Sequence, residues 1–287
     1  MQEVRSPTVR RRELGALLRA LRNEKGLTVE QVAEHLMCSP SKVSRMETGR
    51  GLATLRDIRD LCDLYEVTDE SERDRMMDLS KESMQQDEWQ SYDLPYATYA
   101  GLEAEAVGIS AFQSSVIHGL LQTADYARAM HEGSMPRLDP DQIHLQIEAK
   151  LTRQRILTRS LPPRFAVVLD EAALHRRVGG RRVMAAQLAK LLEISALPNV
   201  MVQILPYEKG AHPALESNFT ILQLPDQAPD VVFVEGMIGY TYLERDEDLK
   251  RYREIFSKLQ SIAANPQDSA ELISRNLRSY KERLEAV

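Results

Sequence analysis

No apolar run in this 287-residue chain reaches the length of about 18 residues needed to span a bilayer. Residues Met1 to Arg12 hold no apolar signal core, so a cytoplasmic location is expected rather than a secreted or membrane fate. There are only two cysteines, Cys38 and Cys62, and they lack metal-ligand spacing, which predicts reduced, half-buried thiols. His118, His131, His144, His175 and His212 form no His-x-x-x-His pattern, so neither a metal nor a cofactor is expected. Gly179-Gly180 lies outside any phosphate-binding motif and reads as an ordinary helix-entry turn. No repeat or low-complexity block is present. An excess of positive charge is also missing: the net charge is −6. Its distribution is uneven, because residues 1–66 hold twelve Lys/Arg against ten Asp/Glu and the remainder carries the deficit. Arg5, Arg10, Arg11 and Arg12 form a basic run before or at the front of the first helix, either an arm toward DNA phosphates or a disordered tail. Length, with 43% hydrophobic and 28% charged residues, fits a globular chain of two domains.

What is present is a local pattern between Leu27 and Gly49. Thr28 followed by Gln31 reads as a capping box, and Val32, Ala33 and Leu36 follow at helical spacing. Ala33 sits where a second helix must come close. Ser39 caps that helix and Pro40 fills its first turn, where a missing N–H costs nothing. Val43 and Met46 point inward, Ser41, Lys42, Ser44 and Arg45 stay on the outer faces, and Gly49 stops the helix. Upstream, Leu14, Leu17, Leu18 and Leu21 form the stripe of a first helix ending near Lys25-Gly26. Downstream, Leu55, Ile58, Leu61, Leu64 and Tyr65 mark a fourth. Two short helices joined by a tight turn make a helix-turn-helix, a shape that fits the DNA major groove.

This pattern resembles the Cro/C1 (xenobiotic-response-element) class of DNA-binding domains, chiefly over Ser39 to Gly49, with Gly26-Leu27-Thr28 in support. Two positions depart from it. Met37 stands where the family often has glycine, and Val29 where it often has a glutamine on the DNA backbone. The resemblance implies that Ser41, Ser44 and Arg45 face base edges, Arg45 foremost because a guanidinium can engage guanine at two points. It implies that Thr28, Ser39, Lys42 and Arg50 hold phosphates, which fix register rather than sequence. It also implies that Arg22 and Glu47 pair as a partly buried structural ion bridge. For Lys42 and Arg45 the alternative is an ordinary solvated helix face. The modest charge of the head predicts weak binding by one copy and hence a dimer on a two-fold operator.

Glu70 to Met84 reads as a polar connector helix, and a boundary is placed near residue 85, giving a head over 1–84 and a second domain over 85–287. Trp89, Tyr92, Tyr96 and Tyr99 form an aromatic cluster, either packing or a ligand or partner surface. Helices are expected over Tyr99–Ala106, from Thr123 to about His131, and over Asp139–Ser160, Asp170–Leu174, Gly180–Ser195, Asp246–Ala263 and Pro266–Leu284. Strands are expected over Phe165–Leu169, Val200–Leu205, Phe219–Leu224, Val231–Glu235 and Met237–Leu243. The fold class is therefore an all-α helix-turn-helix domain of four or five helices followed by an α+β domain.

This half resembles the C-terminal domain of actinobacterial WhiJ-like regulators. The resemblance lies in the run Gly119 to Ala127, Arg153-Gln154-Arg155, Leu169 to Leu174, Pro198-Asn199-Val200, Val202 to Pro206, and Val234-Glu235. It implies a transcriptional regulator modulated through this domain by a ligand or by a small protein encoded by a neighbouring gene, in an antitoxin-like arrangement. Two other readings remain: an interaction scaffold with secondary DNA binding, and an enzyme with a DNA-targeting head. For the enzyme, Asp170 and Glu171 after a strand, with His175, Arg176, Arg177 and His212, are the available groups. Acids in that place are also common at helix N-termini, where they favour the dipole. No catalytic residue is assigned, and the partners expected are double-stranded DNA, a second copy of the chain and a small protein.

Overall fold

The computed structural model describes residues 6–85, 89, 92, 94, 96–133, 138–225, 228–236 and 239–285. The chain packs as two compact units, Met1–Glu105 with Leu224–Pro229, and Ala106–Gln223 with Asp230–Val287. No helix among the described residues is long and apolar enough to cross a membrane.

The first unit is helical. It contains α1 (Pro7–Glu24), α2 (Val29–His35), α3 (Pro40–Glu47), α4 (Leu55–Leu64), α5 (Glu70–Ser83) and α6 (Ala97–Glu105). Leu14, Leu18, Val32, Ala33, Val43, Met46, Ile58, Leu61, Tyr65, Met76 and Leu79 close into one apolar core. Burying each large member stabilises the unit by about 1.5–3 kcal/mol. The first four helices all stop the same way. In each, a left-handed residue follows the C-cap, and the N–H groups of that residue and the next return to carbonyls of the last turn, the Schellman arrangement. The left-handed residues are Gly26, Met37, Gly49 and Glu66. At the second stop Met37 N donates to Glu34 O and Cys38 N to Ala33 O. At the fourth, Glu66 N and Val67 N reach Asp63 O and Cys62 O. Glycine is the residue physics favours there, and two of the four positions do without it.

Of the basic run, Arg10, Arg11 and Arg12 belong to the front of α1, which Ser6 caps, one of the two places expected, and not to an arm before it. Arg10 pairs with Glu13 and Glu82, and Arg11 Nε donates to the Ser83 carbonyl at 2.9 Å. These cations knit α1 to α5; Arg5 lies outside the described residues. At its other margin the unit includes α6, which the sequence places beyond a boundary near residue 85. Ser6 N donates to Glu105 Oε1 at 2.9 Å, tying α6 to the start of α1. Within it Trp89 and Tyr99 are buried, and Tyr99 donates to Glu103 at 2.6 Å.

The second unit is built on a six-stranded mixed sheet in the order β3-β2-β1-β4-β5-β6. The strands are β1 (Gly108–Gln113), β2 (Arg164–Asp170), β3 (Val200–Leu205), β4 (Phe219–Gln223), β5 (Val231–Gly236) and β6 (Gly239–Leu243). β1, β2 and β3 run parallel, and β4, β5 and β6 continue antiparallel. The crossovers carry α7 (Ala124–Glu132) and α8 (Pro140–Gln154), then α9 (Ala172–His175) and α10 (Gly180–Ser195); α11 (Asp246–Ile262) and α12 (Pro266–Glu285) follow the sheet. Phe112, Val168, Leu205, Phe219, Ile221 and Val232 meet Leu249, Phe256 and Leu259 of α11. The alternate set, with Ala111, Val167, Leu169, Ile204 and Leu222, is buried as well, so the sheet is covered on both faces.

Two expectations for this unit are corrected. The sequence reading has no strand at 108–113, yet β1 lies between β2 and β4 at the centre of the sheet. Its Gly-Ile-Ser-Ala-Phe-Gln run is short of β-branched residues, and its place is set by pairing on both sides. The helix expected to reach Ser160 ends at Gln154 and tightens into a 3₁₀ turn over Arg155–Thr158, which buries Ile156 and Leu157.

Candidate nucleic-acid interface

The turn between α2 and α3 is fixed at both ends by side-chain caps. Thr28 Oγ1 accepts from Gln31 N at 3.2 Å while Gln31 Oε1 accepts from Thr28 N at 2.8 Å. Ser39 Oγ accepts from Lys42 N at 3.2 Å. In both caps the hydroxyl works as an acceptor, which leaves its O–H available as a donor. Between them stands Met37, with φ of 49° and 86% of its surface exposed. The turn therefore keeps the backbone that glycine would favour, and the side chain points into solvent.

α3 is held rigidly from beneath. Val43 and Met46 enter the core. Arg22 Nε and Nη2 grip Glu47 Oε1 and Oε2 at 2.6 and 2.9 Å, and Arg22 Nη1 donates to the Leu27 carbonyl at 2.9 Å. The Glu47 hydrogen bond pushes the guanidinium pKa above its ordinary value. Burial, then the Glu47 charge, raises the nearby Tyr65 hydroxyl. Gly15 of α1 lies directly against the last turn of α3: a Cβ there would stand 2.5 Å from the Met46 carbonyl oxygen and 2.8 Å from that of Glu47. Gly49 faces Arg12 of α1 in the same way. After α3 the chain folds back, with Arg50 N and Gly51 N both donating to the Arg45 carbonyl at 2.9 Å.

On the outward side, Ser41, Ser44 and Arg45 share an exposed face of α3, with Thr28, Ser39 and Arg50 exposed around it. Among the described residues the side chains of Arg45 and Arg50 form no ion pair. Lys42 differs: its Nζ lies 2.7 Å from Asp57 Oδ1 in the first turn of α4. Asp57 and Gly15 were not singled out from the sequence. The signals were present, a Thr54-x-x-Asp57 capping box and a glycine inside an otherwise regular helical stripe.

Asp170 and Glu171 stand at the carboxyl end of β2, and each is tied to a neighbour. Asp170 Oδ1 accepts from Ala172 N at 2.8 Å and Glu171 Oε2 from Tyr207 N at 2.9 Å. His175 Nε2 lies 3.2 Å from Glu171, and His212 Nε2 lies 3.7 Å from Asp170. His212 Nδ1 accepts from Ala214 N at 3.3 Å. Arg176 and Arg177 are exposed. Among the described residues no cluster of His, Cys, Asp or Glu could hold a metal ion.

The run Gly119 to Ala127 is a satisfied polar frame. Gln122 donates to the Ile117 carbonyl and accepts from Lys150 Nζ at 2.8 Å. Gln154 donates to the carbonyls of Gly119 and Gln122, and Gln187 joins Leu121 O to Thr123 N. Asn199 donates to the carbonyls of Leu157 and Pro163, pinning the entry to β2.

A model of a helix-turn-helix domain matches residues 13–76, covering the capped turn and its supporting helices. A second family model, a domain of unknown function (DUF5753), matches residues 96–275, more than half of the chain. The chain belongs to the DUF5753 family. It has no significant match among curated proteins or solved structures. The helix-turn-helix match makes the head a DNA-binding domain, and this DUF5753 chain a DNA-binding regulator in the broad sense.

Proposed function

We propose that this protein is a cytoplasmic, sequence-specific transcriptional regulator that binds double-stranded DNA as a homodimer and is modulated through its DUF5753 unit by a small partner protein or ligand. The observation that carries the reading is the two-sided character of α3. Its inner side is fixed by Val43, Met46 and the Arg22–Glu47 pair, while Ser41, Ser44 and Arg45 stand exposed. A rigid helix with an unpaired guanidinium on its outer face suits major-groove readout. Thr28, Ser39, Lys42 and Arg50 ring that face as phosphate contacts, the two hydroxyls acting through donors that their caps leave available. The resemblance to Cro/C1 heads and WhiJ-like regulators supports the same assignment. No catalytic role is proposed for Asp170 or Glu171, because their carboxylates already fix the loops after β2 and β3.

The test is binding of the full chain to the DNA upstream of its own gene. Arg45→Ala is expected to abolish sequence preference with the fold intact, at a cost of about 1–3 kcal/mol for one good bidentate base contact. Unchanged affinity for the preferred site in that variant contradicts the assignment. Genome-wide occupancy with and without the protein encoded by the adjacent gene tests the modulation.

A further inference from the structure

Asp57 has two tasks in this fold. It closes the first turn of α4 through a reciprocal box with Thr54: Asp57 N donates to Thr54 Oγ1 at 3.2 Å, and Thr54 N donates back to Asp57 Oδ2 at 3.0 Å. The Thr54 hydroxyl also donates to Oδ2, at 2.8 Å. All of these cap interactions use Oδ2 or the backbone. The other oxygen, Oδ1, is given to Lys42 Nζ at 2.7 Å. The carboxylate is only 11% exposed and the lysine 36%. If the ammonium left, Asp57 would still hold both Thr54 donors, so the cap does not depend on the lysine.

Lys42 lies in the first turn of α3, between the exposed Ser41 and the exposed Ser44–Arg45 pair. Held by Asp57, it brings no net charge to that surface, in contrast to Arg45 and Arg50. A phosphate recruits it only by replacing one anion with another. We propose that Asp57 limits DNA affinity by competing with a backbone phosphate for Lys42, so that binding exchanges the Asp57 carboxylate for the phosphate. This inference rests on the DNA-binding reading above and adds a residue that sets its strength.

The experiment measures the full chain against a duplex from the region upstream of its gene, by fluorescence anisotropy between about 50 and 200 mM salt. Absence of wild-type binding refutes the DNA-binding reading itself. Given wild-type binding, Asp57→Asn is expected to tighten it about fivefold at the low-salt end and to steepen the salt dependence, because in the wild type the freed Asp57 carboxylate takes up a cation that offsets part of the release of about 0.9 counterion per phosphate contact. In a Lys42→Ala background the same change is expected to leave the slope unaltered. The proposal is overturned if Asp57→Asn leaves affinity and slope at their wild-type values, if the steepening persists without Lys42, or if binding weakens along with a lower melting temperature, the mark of a purely structural cap. Should Asp57→Asn not fold, the carboxylate 13C resonance of Asp57 in the wild-type chain decides. It is expected to move on saturation with duplex, and a resonance that stays in place overturns the exchange.

Discussion

Met37 holds a left-handed backbone at the tightest point of the helix-turn-helix, and its side chain packs against almost nothing. An L side chain in that region costs about 1–2 kcal/mol, partly offset by the greater unfolded-state freedom of glycine. Met37→Gly is expected to stabilise the protein by about 0.5–1 kcal/mol with no change in DNA preference, read as a rise in the urea midpoint. Residue identity therefore misses this stop, and the same holds at Glu66, because the sequence lacks the glycine that would announce it. His131 offers a different test. Burial, then the charge of Lys150, holds its imidazole at about 4, below the ordinary 6.5. The folded state thus binds this proton less readily than the unfolded chain. The stability it contributes is complete above pH 6.5 and is lost as pH falls toward 4. Melting temperatures between pH 7 and 5 are expected to fall more steeply for the wild type than for His131→Gln, and parallel curves would contradict this.

At the level of elements, the position of α3 depends on how closely α1 approaches it. Gly15 permits backbone contact between α1 and the end of α3. Gly15→Ala is expected to force the two helices apart, costing about 1–3 kcal/mol as overpacking and weakening DNA binding, measured by calorimetry and anisotropy on the same preparation. The capped, amphipathic helices were legible because their signals are local: Ser, Thr and Asp at the starts, apolar stripes at a spacing of three and four, and Pro40 in a first turn. β1 was not legible, because its Ser110 and Ala111 are small and its pairing partners are at least 50 residues away at Arg164–Leu169 and Phe219–Gln223. The end of α8 was likewise set by distant groups, the carbonyls of Gly119 and Gln122 that the Gln154 side chain reaches.

For the molecule as a whole, the acidic balance does not weigh evenly on the DNA-binding surface. Residues 67–105 hold three Lys/Arg against eleven Asp/Glu, which accounts for the whole deficit beyond residue 66 and leaves the remainder of the chain balanced. A head of such small net charge is expected to rely on two copies. Hydroxyl-radical footprinting should show two protected half-sites about one helical turn, roughly 34–36 Å, apart. A single protected patch would argue against the two-fold arrangement. By itself, the sequence determined the class of each half, the capped starts of α2 and α3 and the face of α3 turned outward, because capping chemistry and apolar periodicity act over a few residues. Only the tertiary structure decided that Arg10 and Arg11 bind α5 rather than lead toward DNA, that β1 is a central strand and that Lys42 is held by Asp57. Those outcomes depend on groups far apart in the chain, and pairing between them exists only once the core has brought them into range.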